Sequence, residues 1–182
     1  MDHQLLRSNI EKALKTKLPN SEFGQITTDS RKCQDGDLFV AIEGEHFDGH
    51  DFVKQAIEDK KAIGAVVEKD ISFNHPQVYK VDDSIKFIRK MAMHWRRCFQ
   101  GQVIAIAGSN GKTTTKEWCG YLLQKHFGEK KVFYSAKSEN SILGIGLSLL
   151  KLRQDHEIAV FEIGIDAPDW MDQHLELVDP QI

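Results

Sequence analysis

The sequence predicts an α/β fold, in which a small mixed α/β N-terminal domain precedes part of a parallel-sheet domain with a phosphate-binding loop. Two observations predict this class. After residue 100, short apolar runs alternate regularly with segments of helical periodicity, which is typical of parallel sheets. A glycine-containing turn at 108–111 separates one such run from one such helix, and Lys112 follows it. Strand, glycine turn, lysine and helix are together the parts of a phosphate-binding loop (P-loop).

The first 82 residues are predicted to form the smaller domain. Apolar residues recur at helical spacing near the N-terminus, and short apolar runs bounded by glycine, proline or acidic turns follow. The predicted elements are a helix at 3–16, a short strand entering a polar loop within 24–32, a strand at 38–42, a polar loop at 44–52, a helix at 52–61, and strands at 62–67 and 78–81. The acidic turn at 82–84 is the predicted domain boundary.

Residues 83–182 are predicted to form the second domain. It opens with an amphipathic helix that carries Arg96 and Arg97 in its last turn. The alternation then gives a strand at 103–107, a helix at 113–127, a strand at 132–135, a helix at 140–152 and a strand at 158–163. Such βαβ units imply a parallel sheet with right-handed crossovers. The strand at 103–107 is entirely apolar, so we expect it to be buried on both faces.

Composition and charge exclude several classes of protein. The chain has 182 residues, with 41% hydrophobic and 28% charged residues and a net charge of -3, as in an ordinary soluble globular protein. A nucleic-acid-binding protein would carry a basic surface. No apolar run approaches the roughly 20 residues of a membrane span. The three cysteines, Cys33, Cys98 and Cys119, are widely spaced, which indicates a reducing compartment; we expect the cytoplasm.

The glycine turn and the helix start carry the candidate phosphate ligands, which are Gly108, Ser109, Asn110, Gly111, Lys112, Thr113 and Thr114. Glycines let backbone N–H groups approach an anion, the lysine adds charge, and the threonine after the lysine offers a hydroxyl to Mg²⁺. The loop is the compact form G-x-x-G-K-T, since Ile106 stands where the longer pattern requires glycine. This predicts a nucleoside triphosphate site. The alternative is a structural turn with an exposed lysine.

Glu162 lies near the carboxyl end of the apolar strand at 158–163. Ligands of open α/β sheets bind at that edge, and a carboxylate within an apolar strand is costly unless it is paired or bound to a metal. We therefore interpret Glu162 as a candidate metal ligand. The alternative is a glutamate in solvent or in an ion pair.

Several stretches resemble a known family. The sequence AGSNGKTTTKE at 107–117 resembles the ATP-binding loop of the Mur ligases, which build the peptide stem of bacterial cell-wall precursors. TDSR at 28–31 and GDLFVAIEGEHFDGHDF at 36–52 are similar to the family's uridine-nucleotide-binding domain, and AVFEIG at 159–164 resembles its strand ending in a magnesium-binding glutamate. The resemblance is greatest to the branch that adds D-alanyl-D-alanine to UDP-N-acetylmuramoyl-tripeptide (UDP-MurNAc-tripeptide).

This resemblance implies an ATP-dependent amide-bond ligase. Residues 1–82 would bind the UDP-MurNAc-peptide, and residues 83–182 would be the first part of a P-loop ATPase domain that uses ATP and Mg²⁺. Lys112 and Glu162 are implied to be catalytic, with Mg²⁺ held by Thr113 and Glu162. The peptide carboxylate would be phosphorylated, and the amine of D-alanyl-D-alanine would attack the acyl phosphate.

The resemblance also implies substrate contacts. Asp29, Ser30 and Arg31 would hold the uridine and diphosphate, with His50 near the sugar nucleotide. Asn140 is what remains of the family's asparagine-rich turn. From the residues alone, the stretch 29–31 equally predicts a local turn that leads into a solvated arginine. A lone histidine in a polar loop, such as His50, is more often a surface residue.

The family has three domains, and this chain resembles the first and about half of the second. A later metal-binding histidine, a carbamylated lysine and a closing domain have no counterpart in it. We therefore expect the 182-residue chain alone to lack ligase activity, to bind ATP weakly at best, and to pair an open sheet edge with another copy, whereas the full-length enzyme would be monomeric. Two other functions stay open: the branch that adds a diamino acid to UDP-MurNAc-dipeptide, and a non-catalytic nucleotide or UDP-sugar binding protein.

Overall fold

The computed structural model describes residues 3–136, 139–164 and 170–182. They fall into two compact units, and the boundary between the units lies between Ile88 and Arg89. This point lies within a continuous helix, Ser84–Cys98, so the first turn of that helix belongs to the N-terminal unit and its remainder to the C-terminal one. The sequence had predicted the boundary just before the helix, at the acidic turn.

Over its described residues, the N-terminal unit contains four short strands, two complete α-helices, a 3₁₀ turn and the start of a third α-helix. Its elements are α1 (His3–Leu14), β1 (Ile26–Thr27), β2 (Leu38–Val40), a 3₁₀ turn (Gly49–Phe52), α2 (Val53–Glu58), β3 (Gly64–Val67), β4 (Val78–Lys80) and the first turn of α3 (Ser84–Cys98). The strands form one sheet in the order β1-β2-β3-β4, and every pair is parallel. The apolar side of α2 packs on this sheet through buried Val53, Ala56 and Ile57.

The predicted loop at 44–52 ends in structure that the sequence did not predict. Residues Gly49–Phe52 form a 3₁₀ turn, and the carboxylate of Asp48 accepts a hydrogen bond of 2.9 Å from the backbone N–H of His50. Short polar side chains that cap local turns in this way are common. Asp48 therefore fixes the start of the turn that places His50.

The C-terminal unit alternates strands and helices as predicted. After α3 come β5 (Gln102–Ile106), α4 (Lys112–Phe127), β6 (Val132–Tyr134), α5 (Ile142–Leu149), β7 (Ile158–Glu162) and α6 (Trp170–Val178). The three strands are parallel in the order β5-β7-β6. The α/β class with parallel sheets is therefore confirmed. Because the strands are parallel, the segments that follow β5, β6 and β7 meet at one edge of the sheet.

The burial predicted for β5 is wrong. Only Val103 of this strand is buried, whereas all five residues of β7 are, because β7 is the central strand and β5 lies at one end of the order. One outer edge of this sheet is that of β5, and it is partly occupied. The backbone N–H of Gln181 donates to the Val103 carbonyl at 2.9 Å, and the N–H of Ala105 donates to the Ile182 carbonyl at 2.9 Å.

Helix α6 was not predicted from the sequence. Its buried residues His174, Leu177 and Val178 follow helical spacing, which is the signal that predicts such a helix. The end of α6 is held by Arg96, which is 4% exposed and donates from Nε to the Val178 carbonyl at 2.7 Å. Over the described ranges, none of the helices combines the length and the apolar character that crossing a membrane requires.

Candidate active site

The phosphate loop connects the end of β5 to the start of α4. Two of its glycines have backbone angles that favour glycine, with φ of 148° at Gly108 and 75° at Gly111. Gly111 is the residue that caps the N-terminus of α4, and its left-handed conformation turns the chain into the helix. Ser109, Asn110 and Thr114 are exposed around this turn. The first N–H groups of α4 have no carbonyl partner within the helix, which makes this end suited to an anion.

The side chain of Lys112 folds back over the loop. Its ammonium donates a hydrogen bond of 2.8 Å to the carbonyl of Gly108. An ammonium has three donors, so this contact leaves others for phosphate oxygens. The lysine is thereby held beside the helix N-terminus, and both contribute positive potential at the same place.

Glu162 is the last residue of β7 and is 2% exposed. One carboxylate oxygen accepts a hydrogen bond of 2.8 Å from the hydroxyl of Thr113, and the other accepts one of 3.0 Å from the side-chain amide of Asn140. The strand register explains the first contact. Glu162 pairs with Ile106, the residue at which β5 ends and the phosphate loop begins.

The carboxylate of Glu162 is held by neutral donors. Among the ion pairs of the described residues, none involves Glu162. The two alternatives drawn from the sequence, a glutamate in solvent and one in an ion pair, both disagree with this arrangement. A buried carboxylate without a cationic partner is costly. A divalent cation beside Thr113 would supply the missing charge, and Mg²⁺ commonly takes one or two protein carboxylates together with substrate phosphates.

Asn140 lies in the turn before α5 and is tethered at both ends. Its side chain donates to Glu162, and its own carbonyl accepts a hydrogen bond of 3.1 Å from the N–H of Gly164. The next residue, Ser141, caps α5 by accepting a hydrogen bond from Gly144 at 3.1 Å. The sequence suggested Asn140 as a substrate contact; the structure places its amide on the candidate metal ligand. Ser138 of the same turn lies outside the described residues.

Lys116 is a charged residue of this region that sequence reasoning missed. It lies one helical turn after Lys112, and its side chain is 0% exposed. Its ammonium lies 3.1 Å from a carboxylate oxygen of Glu117. The burial of Lys116 could not be predicted from the sequence. Helix α4 has little amphipathic pattern, so the sequence does not show which of its faces is turned inward.

In the N-terminal unit, Asp29 and Arg31 contact each other. The backbone N–H and the guanidinium Nε of Arg31 donate to the Asp29 carboxylate at 3.1 and 2.9 Å. This contact holds the pKa of Asp29 below its ordinary value. Arg31 is 86% exposed and Ser30 is buried. The geometry is that of the local turn with a solvated arginine, and the predicted role of these residues in binding uridine stays a prediction.

His50 differs from the surface residue that the sequence left as an alternative. Its side chain is 2% exposed. The ring Nδ1 lies 2.6 Å from the Asp48 carboxylate, and Nε2 accepts a hydrogen bond of 3.2 Å from the backbone N–H of Glu68. This pattern assigns the proton to Nδ1. Both ring nitrogens are engaged within the N-terminal unit, so a direct contact from His50 to a substrate would require one of these bonds to break.

Asp48 is the charged centre of this cluster, a role of its side chain that was not predicted from the sequence. Lys69 contacts Asp48 at 2.5 Å and Glu43 at 2.7 Å. Lys69 first, and then the hydrogen bonds from His50, hold the pKa of Asp48 well below its usual range. The cluster therefore orders the loop at 43–50 against the carboxyl end of β3.

Two family models match this chain. Residues 22–92 match the Mur ligase family, catalytic domain, and residues 106–182 match the Mur ligase middle domain. The UDP-N-acetylmuramoyl-tripeptide--D-alanyl-D-alanine ligase of Rickettsia prowazekii is 34% identical over 172 residues, covering 93% of this chain and 37% of that protein.

Solved structures give the same result. The UDP-N-acetylmuramoylalanyl-D-glutamyl-2,6-diaminopimelate--D-alanyl-D-alanyl ligase of Acinetobacter baumannii superposes with a TM-score of 0.80 at 32% identity, over 96% of this chain and 39% of that one. MurF ligase of Thermotoga maritima, solved in complex with ADP, superposes with a TM-score of 0.74 at 31% identity, over 86% of this chain and 35% of that one. The chain thus spans less than two fifths of the length of these relatives. The two matches cover most of the chain in consecutive order, and the chain belongs to the Mur ligase family.

Proposed function

We propose that this chain is part of an ATP-dependent ligase that adds D-alanyl-D-alanine to UDP-MurNAc-tripeptide. The observation that carries the proposal is the juxtaposition of the phosphate loop with a buried carboxylate, through the hydrogen bond from Thr113 to Glu162. The relatives named above all carry the D-alanyl-D-alanine ligase or MurF name, which supports this branch over the one that adds a diamino acid.

The residues at the carboxyl edge of the C-terminal sheet fit ATP and Mg²⁺. The glycine turn and the start of α4 would receive the phosphates, with Lys112 on the terminal ones. Thr113 and Glu162 would hold Mg²⁺, which neutralises charge that develops on the transferred phosphoryl group. For this role the hydroxyl oxygen of Thr113, whose proton is donated to Glu162 in this structure, would serve as the ligand.

Before the amide forms, an anionic carboxylate must approach the anionic γ-phosphate of ATP. The main task of the site is therefore to neutralise this negative charge. A carboxylate oxygen of the tripeptide attacks the γ-phosphorus, the bond to the β-phosphate oxygen breaks, and ADP and an acyl phosphate form. The neutral amine of D-alanyl-D-alanine then attacks the acyl carbon. The tetrahedral intermediate expels inorganic phosphate, the nitrogen loses a proton, and the amide remains.

We propose that residues 1–82 bind the nucleotide end of the tripeptide substrate and that 83–182 carry the ATP site. Ser30 and the turn formed by Asp29 and Arg31 lie just after β1, at the carboxyl edge of the N-terminal sheet, where ligands of such sheets bind. His50 acts by ordering the neighbouring loop. Since ATP and a uridine nucleotide are the substrates, the proposed location is the cytoplasm.

The test of this function uses the product of the whole reading frame that encodes these 182 residues. It is incubated with ATP, Mg²⁺ and UDP-MurNAc-tripeptide, and phosphate release is measured with and without D-alanyl-D-alanine. We expect release that depends on the dipeptide, together with a product heavier by one dipeptide residue unit in mass spectrometry. Release that depends on a diamino acid and UDP-MurNAc-dipeptide would instead assign the other branch, and no release with either pair would exclude a ligase.

A further inference from the structure

The turn before α5 is attached to that helix on both sides of Asn140. Ser141, the residue after Asn140, caps the N-terminus of α5. The backbone of Glu139, the residue before it, lies against Gly144, where an added Cβ would be 3.2 Å from the Cα and the carbonyl carbon of Glu139. The side chain of Glu139 also reaches α5, where its carboxylate accepts a hydrogen bond from the hydroxyl of Ser148. Three contacts therefore hold this turn to the helix.

The contact between Ser148 and Glu139 joins a buried donor to a charged acceptor. Ser148 is 0% exposed and lies on the buried side of α5. The carboxylate oxygen that accepts from Ser148 also lies 3.7 Å from the ammonium of Lys151. A hydrogen bond to an ionised group is stronger than one between neutral groups, and a buried hydroxyl that loses its acceptor is costly. The pair thus directs the side chain of Glu139 along α5.

Asn140 is the residue that requires a fixed turn. Its side-chain amide donates to one carboxylate oxygen of Glu162 at 3.0 Å, and Thr113 donates to the other at 2.8 Å. The carbonyl of Asn140 accepts a hydrogen bond of 3.1 Å from the N–H of Gly164. Hydrogen bonds weaken steeply when they are stretched or bent. The amide can therefore orient Glu162 only while the turn keeps its position between α5 and the end of β7.

We propose that Glu139 is a positioning residue of the candidate magnesium site and acts through Asn140. By accepting the hydrogen bond from Ser148, it keeps the turn where the amide of Asn140 holds the carboxylate of Glu162. Partners that orient a metal ligand influence metal affinity, and Glu139 orients such a partner. This assignment rests on the proposed function, because it requires Glu162 to hold the metal.

The test measures metal affinity in the product of the whole reading frame, without nucleotide or peptide substrate. Mn²⁺ is the probe, and its binding is followed by water proton relaxation. Ser148→Ala is the main variant, because it removes the donor and leaves a carboxylate that is partly exposed to water. We expect Mn²⁺ to bind at least about threefold more weakly, as part of the roughly ten- to a hundredfold that loss of an orienting partner costs.

Glu139→Ala should cause a similar loss, and the double variant with Ser148→Ala should bind Mn²⁺ no more weakly than either single variant. Both substitutions remove the same hydrogen bond, so their effects are not additive. Glu129→Ala, at an exposed position after α4, is the matched control and should bind as the unsubstituted protein does.

Two further comparisons separate positioning from other roles of Glu139. Glu139→Gln removes the charge and keeps an oxygen that can accept from Ser148, so it should retain most of the Mn²⁺ affinity. In a protein that already carries Asn140→Ala, Ser148→Ala should cause no additional loss, because its effect passes through Asn140. A merely structural role would instead lower the melting temperature and would weaken Mn²⁺ binding equally with and without Asn140.

Unchanged Mn²⁺ affinity in Ser148→Ala and Glu139→Ala, alongside a loss in Glu162→Gln, would overturn the proposal and leave the metal site standing. Equal losses in Glu139→Gln and Glu139→Ala would also overturn it, because the charge would then act on the cation directly. If Glu162→Gln itself binds Mn²⁺ as the unsubstituted protein does, the metal site of the proposed function is wrong, and the role of Glu139 is excluded with it.

Discussion

The hydroxyl of Thr113 and the carboxylate of Glu162 lie 2.8 Å apart, although 49 positions separate them in the chain. Thr113 is in the first turn of α4, and Glu162 ends the central strand of the sheet. This hydrogen bond joins a phosphate-binding loop to a buried acidic group, which is the combination that a metal-assisted phosphoryl transfer needs.

Glu162→Gln should make nucleotide binding insensitive to magnesium. The substitution keeps the size of the side chain and removes the charge that would hold the cation. We expect the Mg²⁺-dependent gain in ATP affinity to fall by at least about tenfold, as measured by calorimetric titration of the product of the whole reading frame at several Mg²⁺ concentrations. Glu129→Gln serves as the control and should behave as the unsubstituted chain. A full magnesium response in Glu162→Gln would contradict the assignment.

Lys112→Ala should weaken ATP binding whether or not magnesium is present. Hydrogen bonds to charged groups contribute about 1.5–3 kcal/mol, so we expect a loss of roughly ten- to a hundredfold in affinity, measured in the same titration. Lys130→Ala is the control, since Lys130 is exposed in the turn that follows α4. If both variants bind ATP equally well, the loop is a structural turn, which is the alternative drawn from the sequence.

Asn140→Ala should lower metal affinity without altering the ligands themselves. It removes one of the two donors that orient Glu162, and the loss of such an orienting partner typically costs about ten- to a hundredfold in metal affinity. Mn²⁺ can replace Mg²⁺ as a probe, and its binding can be followed by water proton relaxation. If Asn140 instead contacts the tripeptide alone, Mn²⁺ affinity will be unchanged and only tripeptide affinity will fall.

Asp48→Asn should destabilise the N-terminal unit in a pH-dependent manner. Lys69 holds the pKa of Asp48 below its usual value, so the folded state binds that proton more weakly than the unfolded state does. The resulting stability is fully present above the unfolded pKa of about 3.9 and is lost as the pH falls through the lower folded pKa. We expect a loss of about 1–3 kcal/mol in the free energy of unfolding at pH 7.

Urea denaturation at pH 7 and below pH 4 would measure this effect. The difference between Asp48→Asn and the unsubstituted chain should shrink on acidification. Asp51→Asn, at an exposed position in the same 3₁₀ turn, should show little effect at either pH. If the difference stays constant with pH, the charge of the Asp48 carboxylate does not contribute to the stability, and the side chain acts only through its shape.

Arg96→Met should destabilise the C-terminal unit, whereas Arg97→Met should not. Arg96 is buried and donates to the carbonyls of Val178 and Asp179 at 2.7 and 2.6 Å, while Arg97 is exposed in the same turn of α3. Losing charged donors to buried carbonyls costs about 1.5–3 kcal/mol. Thermal unfolding followed by circular dichroism would compare the two variants. Equal melting temperatures would show that α6 is held by apolar packing alone.

The order of strands and helices and the place of the phosphate loop could be predicted from the amino-acid sequence. These features depend on short-range patterns: apolar runs of strand length, helical spacing, and glycines where the backbone must turn. For the same reason, the end of a central apolar strand predicted the position of Glu162. The same kind of pattern also predicts helix α6, since His174, Leu177 and Val178 follow helical spacing.

The contacts between side chains of different elements could not be predicted in this way, because they depend on how the elements pack. The strand order β5-β7-β6 makes β7 the buried strand and leaves β5 half-exposed, although both are apolar runs. That order also brings Asn140 onto Glu162, and the packing of the N-terminal unit buries His50 between Asp48 and the backbone of Glu68. Contacts of this kind join segments far apart in the chain. The periodicity of a segment shows which of its faces is apolar. Which other element covers that face depends on the packing of the whole unit.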